Sequence, residues 1–370
     1  MVSPVVPALF GNGLAMRAAM SLRALAHHYR VSLLVLPLYS SPTRRNLSPE
    51  LAALCEAVEG VQRAAHVPSQ RVDGPFDVMH IFRLSSLPTA RRWFHSTGQI
   101  HLDLDDVESV SRLRIASLFR EHGRLQEASS EERAARQALE SEIEALSTFD
   151  RVYVCSAHDE EQLLFCGSAE VRILPNTVDI PPVPLPEPEA DEPFTFLLIG
   201  NFGYLPNADG LAHVAREVLP RLRESSPAPF RIRVAGWGAS PEFDAMARAA
   251  GIEMDGFVSD LATWYAGGHA AIVPIRAGGG TRIKALEAFA LRRAVVSTSL
   301  GAEGIDAEHG IHLLLADDPG EFAAACRQLM EDPELRHRLR ENAFQLVSSR
   351  YTLDVMVRAV APNLSYAQPR

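Results

Sequence analysis

Pro274-Ile275-Arg276-Ala277-Gly278-Gly279-Gly280-Thr281-Arg282-Ile283-Lys284-Ala285-Leu286-Glu287-Ala288 reads as the end of an apolar strand, three glycines, and a helix that opens near Thr281. Gly278, Gly279 and Gly280 leave backbone N–H groups able to approach an anion closely, and a helix N-terminus adds a partial positive charge. Lys284 lies one turn into the helix and can place a point charge on a phosphate. Glu287 follows on the same face. A carboxylate there repels phosphate but can accept two hydrogen bonds from ribose hydroxyls. Together these groups describe a site for a nucleoside diphosphate. The competing reading of the bare Lys284/Glu287 pair is a solvated ion pair on an ordinary helix. The triple glycine weighs against it, and so does composition. Of 36 Lys+Arg residues, only Lys284 is a lysine. A base-composition bias toward arginine codons explains the excess and makes the surviving lysine informative, because the two side chains are not interchangeable at a tight site.

Working outward, the same strand-then-helix alternation fills both halves of the chain, the mark of parallel βα units. Strands are expected at 31–36, 77–81, 99–104 and 151–155, then at 194–199, 232–235, 270–274 and 294–297. Helices are expected from near Gly13, as one or two exposed helices in 109–147, and at 208–223, 241–250, 281–291 and 319–350, with a further helical pattern at 351–364. Between the halves, 180–193 carries alternating prolines that suit neither a helix nor a central strand. The expected organisation is a Rossmann-like domain at 1–180, a Pro-rich linker at 181–193, a second Rossmann-like domain, with the glycine loop, at 194–350, and a C-terminal helix and tail at 351–370. The fold class is α/β, with two doubly wound parallel-sheet domains facing a cleft. In such sheets ligands sit beyond the carboxyl ends of the strands, which points to loops 7–13, 105–109, 200–207, 236–240 and 275–281.

Size and charge narrow the class. A chain of 370 residues suits two domains of roughly 180 residues each. The 47% apolar content fits a folded globular protein. No apolar run approaches the roughly 20 residues needed to cross a bilayer. The opening Met1-Val2-Ser3-Pro4 lacks the basic region of a signal peptide. Cys55, Cys155, Cys166 and Cys326 are scattered, and read as reduced thiols of a cytoplasmic protein. A net charge of −10 argues against nucleic acid as a partner and against an electrostatic membrane anchor.

The 274–288 segment resembles the donor-site signature of the retaining, group 1 type GT-B glycosyltransferases of family 4. The same resemblance runs through Ile199-Gly200-Asn201-Phe202, Val234-Ala235-Gly236-Trp237-Gly238, Gly256-Phe257-Val258-Ser259-Asp260, Val295-Val296-Ser297-Thr298 and Gly301-Ala302-Glu303-Gly304. It covers about 194–350 well. It extends more loosely to Gly11-Asn12-Gly13, Cys155-Ser156 and Pro175-Asn176-Thr177-Val178-Asp179. The resemblance implies that Glu287 holds the ribose, Lys284 the diphosphate, and the backbone around Gly256–Val258 the base. Gly13 would lie under the donor phosphates, and Ala277–Gly280 would face the transferred sugar. Two departures stand out. Relatives often carry a further glutamate where this chain has Gly279. They also often place an arginine and a lysine just after the first C-domain strand, where this chain has Asn201-Phe202-Gly203-Tyr204. Phosphate neutralisation then rests on Lys284, with Arg282 or Arg17 as helpers, and with Thr281 and Asn201 nearby.

In the first half, Leu102-Asp103-Leu104-Asp105-Asp106 ends a strand in an acidic cluster. Alternation puts Asp103 and Asp105 on one face. Relatives commonly have a histidine near Asp105. A carboxylate there can orient an acceptor hydroxyl or steady a cationic sugar transition state. The structural alternative is a helix cap at Asp106. His80 and Arg83 are expected on the cleft floor, with a structural hydrogen bond as the competing reading of His80. GT-B relatives need no metal, and no DxD-type loop lies near the glycines, so the activity is read as metal-independent with no cofactor beyond the nucleotide sugar.

The function expected is transfer of a sugar from a nucleoside-diphosphate sugar to an acceptor, a small soluble molecule or a glycan, with Lys284 and Asp105 as the catalytic pair. A non-transferring GT-B protein, either an epimerase or a pseudo-glycosyltransferase, is the alternative that the missing carboxylate at Gly279 keeps open. A dinucleotide-dependent oxidoreductase fails the fingerprint: Met16 stands where a third small residue belongs, and no acid follows the second strand at Leu36-Pro37-Leu38.

Overall fold

The computed structural model describes residues 1–36, 47–60, 72, 74–163, 170–186, 188, 193–226 and 228–361. Along the chain run β1 (Val2–Ser3), α1 (Gly13–Ala26), β2 (Val31–Val35), α2 (Pro49–Ala52), β3 (Cys55–Glu59), β4 (Phe76–Phe82), α3 (Leu87–Ala90), β5 (Thr97–Asp105), α4 (Glu108–Glu121), α5 (Leu125–Thr148), β6 (Arg151–Val154), α6 (Ala157–Leu163) and β7 (Glu170–Ile173). Then follow β8 (Phe194–Asn201), α7 (Leu205–His213), a π-helical turn (Val214–Val218), α8 (Leu219–Ser225), β9 (Phe230–Trp237), α9 (Pro241–Ala249), β10 (Glu253–Gly256), α10 (Leu261–Ala266), β11 (Ala270–Val273), α11 (Ile283–Ala290), β12 (Ala294–Ser297), β13 (Leu314–Leu315), α12 (Pro319–Glu331), α13 (Pro333–Arg350) and α14 (Leu353–Ala359).

Two sheets result. One has seven strands in the order β3-β2-β1-β4-β5-β6-β7, and the other six in the order β10-β9-β8-β11-β12-β13. Their pairings are parallel. Each is a doubly wound Rossmann-like domain of the GT-B type. Helices cover both faces of the second sheet, so its central strands read as unbroken apolar runs and not as alternating ones. On β8, Phe196 and Leu198 face a core with Val218, Leu222, Phe322 and Leu329. Leu197 turns to the other face, with Ala285, Phe289 and Val347.

Five strands escape the sequence reading. β1 and β13 are two residues long, too short for a pattern. β3, β7 and β10 lie at or next to sheet edges as CEAVE, EVRI and EMDG, with half-exposed polar residues in place of an apolar run. The expected helix at 319–350 is two helices: Asp332 caps α13 by accepting from Leu335 N–H at 2.8 Å, and Pro333 starts it. The helix expected at 208–223 begins at Leu205 and passes through the π turn just before Pro220, which has no N–H to give. The 109–147 stretch is two helices, parted at Gly123 with φ 70°.

The chain divides into two compact units. One comprises Met1–Ser109, Arg133–Thr177 and the segment beginning at Leu353; the other comprises Val110–Glu132 and Val178–Thr352. Two segments thus pack against the half of the chain that does not contain them. In the second unit, Arg114 of α4 pairs with Glu303 (Nη2–Oε2 2.9 Å), and His122 meets Asp209 (Nε2–Oδ1 2.7 Å). In the first unit, α14 packs on α1, with His28 Nε2 2.9 Å from Val357 O. Part of the proline run, at 187 and 189–192, lies outside the described residues, as do Cys166 and Pro37-Leu38. Among the described residues, no helix is long and apolar enough to cross a membrane.

Candidate functional site

The second sheet reverses its strand order between β8 and β11, which pair side by side at its centre. Loops leaving such a switch point diverge and leave a crevice at the carboxyl ends of the strands. The loop after β11 is the glycine run. Gly278 has φ 95°, where a larger residue would be strained, and a Cβ there would fall 2.9 Å from Tyr204 Oη and displace that hydroxyl. Arginines hold the carbonyls of this run. Arg114 Nη1 donates to Gly278 O at 3.1 Å, and Arg282 Nη1 donates to Gly279 O and, at 2.6 Å, to Gly280 O. In a planar trans peptide the N–H points opposite to the C=O. The N–H groups of Gly279, Gly280 and Thr281 therefore each face away from the guanidinium that holds the preceding carbonyl.

Helix α11 opens at Arg282 with no side-chain cap and no acid in its first turn. Lys284 is half-buried, and its Nζ donates to Asn207 Oδ1 at 2.6 Å. Asn207 is fixed in turn by its Nδ2, which donates to Asn201 O at 2.9 Å. Asn201 Oδ1 accepts from Gly203 N–H at 3.0 Å. The ammonium is thus hydrogen-bonded to a neutral amide, with Glu287 as the carboxylate acting on its charge. Burial first, and the Arg282 guanidinium second, pull Lys284 down to about 7, with Glu287 offsetting part. Burial lifts Glu287 to about 7 against the pull of Lys284. Nε and Nη2 of Arg282 are buried and find no acceptor among the described residues. Thr281 is buried, and its hydroxyl donates to Gly304 O at 3.3 Å. At the far edge of the sheet, beyond β9, Gly256 (φ 72°) ends β10, with Phe257 exposed and edge-on to Trp237 at 6.3 Å. Val258 packs on the core beneath.

In the first unit, Asp105 ends β5 at φ 67° where the register to β6 shifts. A left-handed non-glycine residue at a strand end is strained, and such strain gathers at functional sites. Its carboxylate lies 3.9 Å from Arg17 Nε and 3.7 Å from Arg83 Nη1. Burial raises its pKa despite both arginines. Arg83 also pairs with Asp106, so the Asp106 carboxylate serves that ion pair. Below, Arg17 donates to Asp103 Oδ1 (2.9 Å) and Leu174 O (2.6 Å), and Ser21 donates to Asp103 Oδ2 (3.1 Å). Burial opposes the charge on Asp103, but Arg17 and His80 outweigh it and hold the carboxyl well below its usual range.

Two expectations need correction here. Arg17 is 1% exposed and committed to Asp103 and Leu174, so it is no phosphate helper. His80 is 2% exposed within β4, 3.6 Å from Asp103 and packed on Tyr153; it belongs to the interior. Gly13 is exposed at the first turn of α1, where Asn12 Oδ1 caps Leu14 N–H at 2.9 Å. Within the second unit, Asn201, Arg282 and Lys284 come together at the glycine loop. Three of its parts were missed by the sequence reading. Asn207 falls within the 200–207 stretch pointed to above, in the first turn of α7, but its type carries no charge signal. Tyr204 abuts Gly278. Arg114 arrives from 164 residues upstream, and nothing local to it announces the contact.

Residues 193–332 match the family model described as "Glycosyl transferases group 1". A protein of Klebsiella pneumoniae, named as an uncharacterized 44.6 kDa protein in the cps region, is 27% identical over 164 residues, or 42% of this chain and 42% of the relative. Among solved structures, HepE of Anabaena in complex with UDP and glucose superposes with a TM-score of 0.67 at 16% identity, covering 96% of this chain and 98% of that one. TarM superposes with a TM-score of 0.59 at 14% identity, covering 76% of this chain but only 53% of TarM. The chain therefore spans about half the length of TarM and less than half of the Klebsiella relative. At these identities the structural likeness carries the fold and not the reaction.

Proposed function

We propose, from a second unit that matches the group 1 glycosyltransferases, that this protein transfers a sugar from a nucleoside-diphosphate sugar to an acceptor with retention, as in family 4. The observation that carries the reading is the charge imbalance at the glycine loop. Lys284 is held by an amide, Arg282 keeps buried N–H groups without acceptors, and an uncapped helix N-terminus points the same way. That combination suits a diphosphate. Glu287, set one turn beyond, suits the ribose hydroxyls. Phe257 and the Gly256–Val258 backbone suit the base, for which the UDP of HepE offers a candidate.

In the reaction proposed, the anomeric C–O bond breaks and its electron pair leaves on the diphosphate, which Lys284 and the loop N–H groups stabilise. The acceptor hydroxyl attacks the same face, and its proton passes to the leaving phosphate oxygen. Asp105 of the first unit is assigned to the acceptor hydroxyl or to the developing positive charge on the sugar. The step uses no metal, and the acceptor is assigned as a small soluble molecule or glycan handled in the cytoplasm. Incubation with a panel of radiolabelled nucleotide sugars tests the reading. Donor hydrolysis or transfer, lost in Lys284→Ala and kept in EDTA, is expected. Isomerisation of the sugar without transfer would point instead to an epimerase.

A further inference from the structure

A run of three glycines does not hold its own shape. Glycine loses more backbone freedom on ordering than any other residue, and Gly278 and Gly280 sit at φ 95° and 71°. Groups outside the run must fix its peptide planes. Arg282 does so from the adjoining helix, at the carbonyls of Gly279 and Gly280. The carbonyl of Gly278, a buried residue, is held from α4 by Arg114 Nη1 at 3.1 Å. The same guanidinium forks onto Glu303, with Nη2 2.9 Å from Oε2 and Nη1 bonded to Oε1. Glu303 lies in the loop after β12, beside Gly304, whose carbonyl accepts from the Thr281 hydroxyl at 3.3 Å. Arg114 therefore ties the loops after β11 and β12 to each other as well as to α4.

A second grip lies about two turns further along. Glu121, the last residue of α4, pairs with Arg276, just ahead of the glycines. The next residue, His122, meets Asp209 of α7 (Nε2–Oδ1 2.7 Å), and the other oxygen of Asp209 lies 3.6 Å from Arg276 Nε. At about 1.5 Å of rise per residue the two grips stand roughly 10 Å apart along the helix. They reach the chain on either side of Ala277. α4 has apolar anchors of its own, with Ala116 at 0% and Leu118 at 2% exposure, so its seating does not rest on these polar contacts alone.

We propose that Arg114 is a positioning residue for the donor, turning the peptide between Gly278 and Gly279 so that the Gly279 N–H faces a diphosphate oxygen. The inference rests on the reading of the glycine loop as a diphosphate site. With the Gly278 carbonyl turned into the guanidinium, the N–H across that peptide bond points to the opposite side. A donor fixed before the ligand arrives loses no ordering entropy on binding and meets the charge of the leaving group already aligned. Arg114 acts through the loop and not on the ligand.

The test uses the full chain and inorganic pyrophosphate, with affinity read from the rise in melting temperature. Arg114→Gln should weaken pyrophosphate binding about tenfold or more. Arg120→Gln is the control: it breaks a pair between α4 and Glu132 of α5 and should bind as wild type does. An equal loss in that control would reduce the effect to helix stability and overturn the assignment. The double variant Arg114→Gln with Glu303→Gln removes the stranded carboxylate and should stay weak. Recovery to wild-type affinity would show that Arg114 only cancels the charge of Glu303, and would sink the positioning role. Hydrogen exchange gives a readout free of ligand. In Arg114→Gln, peptides over 276–282 should exchange several-fold faster while those of β11 and β12 keep their protection; an unchanged loop would refute the tie. If Arg114→Gln fails to fold, Arg114→Lys carries the same comparison, because an ammonium cannot fork onto both loops. A wild-type protein that pyrophosphate does not stabilise would bring down the diphosphate reading and this inference with it. Equal binding by wild type and Arg114→Gln would bring down this inference alone.

Discussion

The two units handle buried charge in opposite ways. In the first, Arg17 and Arg83 face Asp103, Asp105, Asp106 and Glu108 within 4 Å, so each cation has acid beside it. In the second, Lys284 leans on an asparagine and Arg282 on carbonyls. The first arrangement matches its cations with acids and contributes to the fold. The second has positive charge to spend on a ligand. A buried ion is costly unless paired, so the two sites should respond to mutation in opposite ways.

The largest effect should come from the first unit. Asp103→Ala strands Arg17 as a fully buried cation, and should cost about 3–5 kcal/mol of stability, read as a lowered denaturant midpoint. An unchanged midpoint would end the contrast. Lys284→Ala should instead leave the melting temperature close to wild type, while kcat/KM and nucleotide affinity fall about a hundredfold or more, about 2.7 kcal/mol. Lys284→Arg keeps the charge but not the compact ammonium, and should lose about tenfold. Wild-type rates in that variant would make the lone lysine an accident of composition.

Titration sharpens the same contrast. Lys284 sits near 7 in the ligand-free protein. Below that pH the ammonium is already present when a diphosphate arrives. Above it, binding requires uptake of a proton, so affinity for pyrophosphate should fall by up to about tenfold per pH unit. Calorimetry in buffers of different ionisation heat measures the uptake, and Lys284→Arg should flatten the slope. The smallest effects concern single oxygens. Glu287→Gln should weaken nucleotide binding and shrink the penalty for a 2′-deoxy nucleotide. Asp105→Asn should lower kcat with donor affinity kept within about a few-fold; unchanged turnover would confine Asp105 to structure.

Much of this was legible in the sequence because it is local. The strand, glycines and helix of 270–290 follow one another within one βα unit, and apolar runs mark central strands wherever both faces are covered. What escaped is what depends on partners. The edge strands CEAVE and EVRI lack a period because one side meets solvent. His80 and Arg17 look like site residues in one dimension and prove to be interior, since only the packed sheet shows Arg17 bonded to Asp103 and His80 3.6 Å from it. Asn207 and Arg114 are set by contacts across 77 and 164 residues, beyond any motif.

The crossed packing of α4 and α14 bears on how the chain is made. Residues 353–360 follow the whole of the second unit in the chain, yet α14 lies on α1. A ribosome delivers residues in order at about 5–20 per second. The first sheet therefore spends some ten seconds or more after its own strands emerge with that face of α1 bare. Meanwhile α4, made early, waits for the glycine loop that Arg114 will grip. The first unit cannot be finished until the second has been synthesised, so a chain cut after Arg350 should leave its defect at the opposite end, beside Gly13–Ala26.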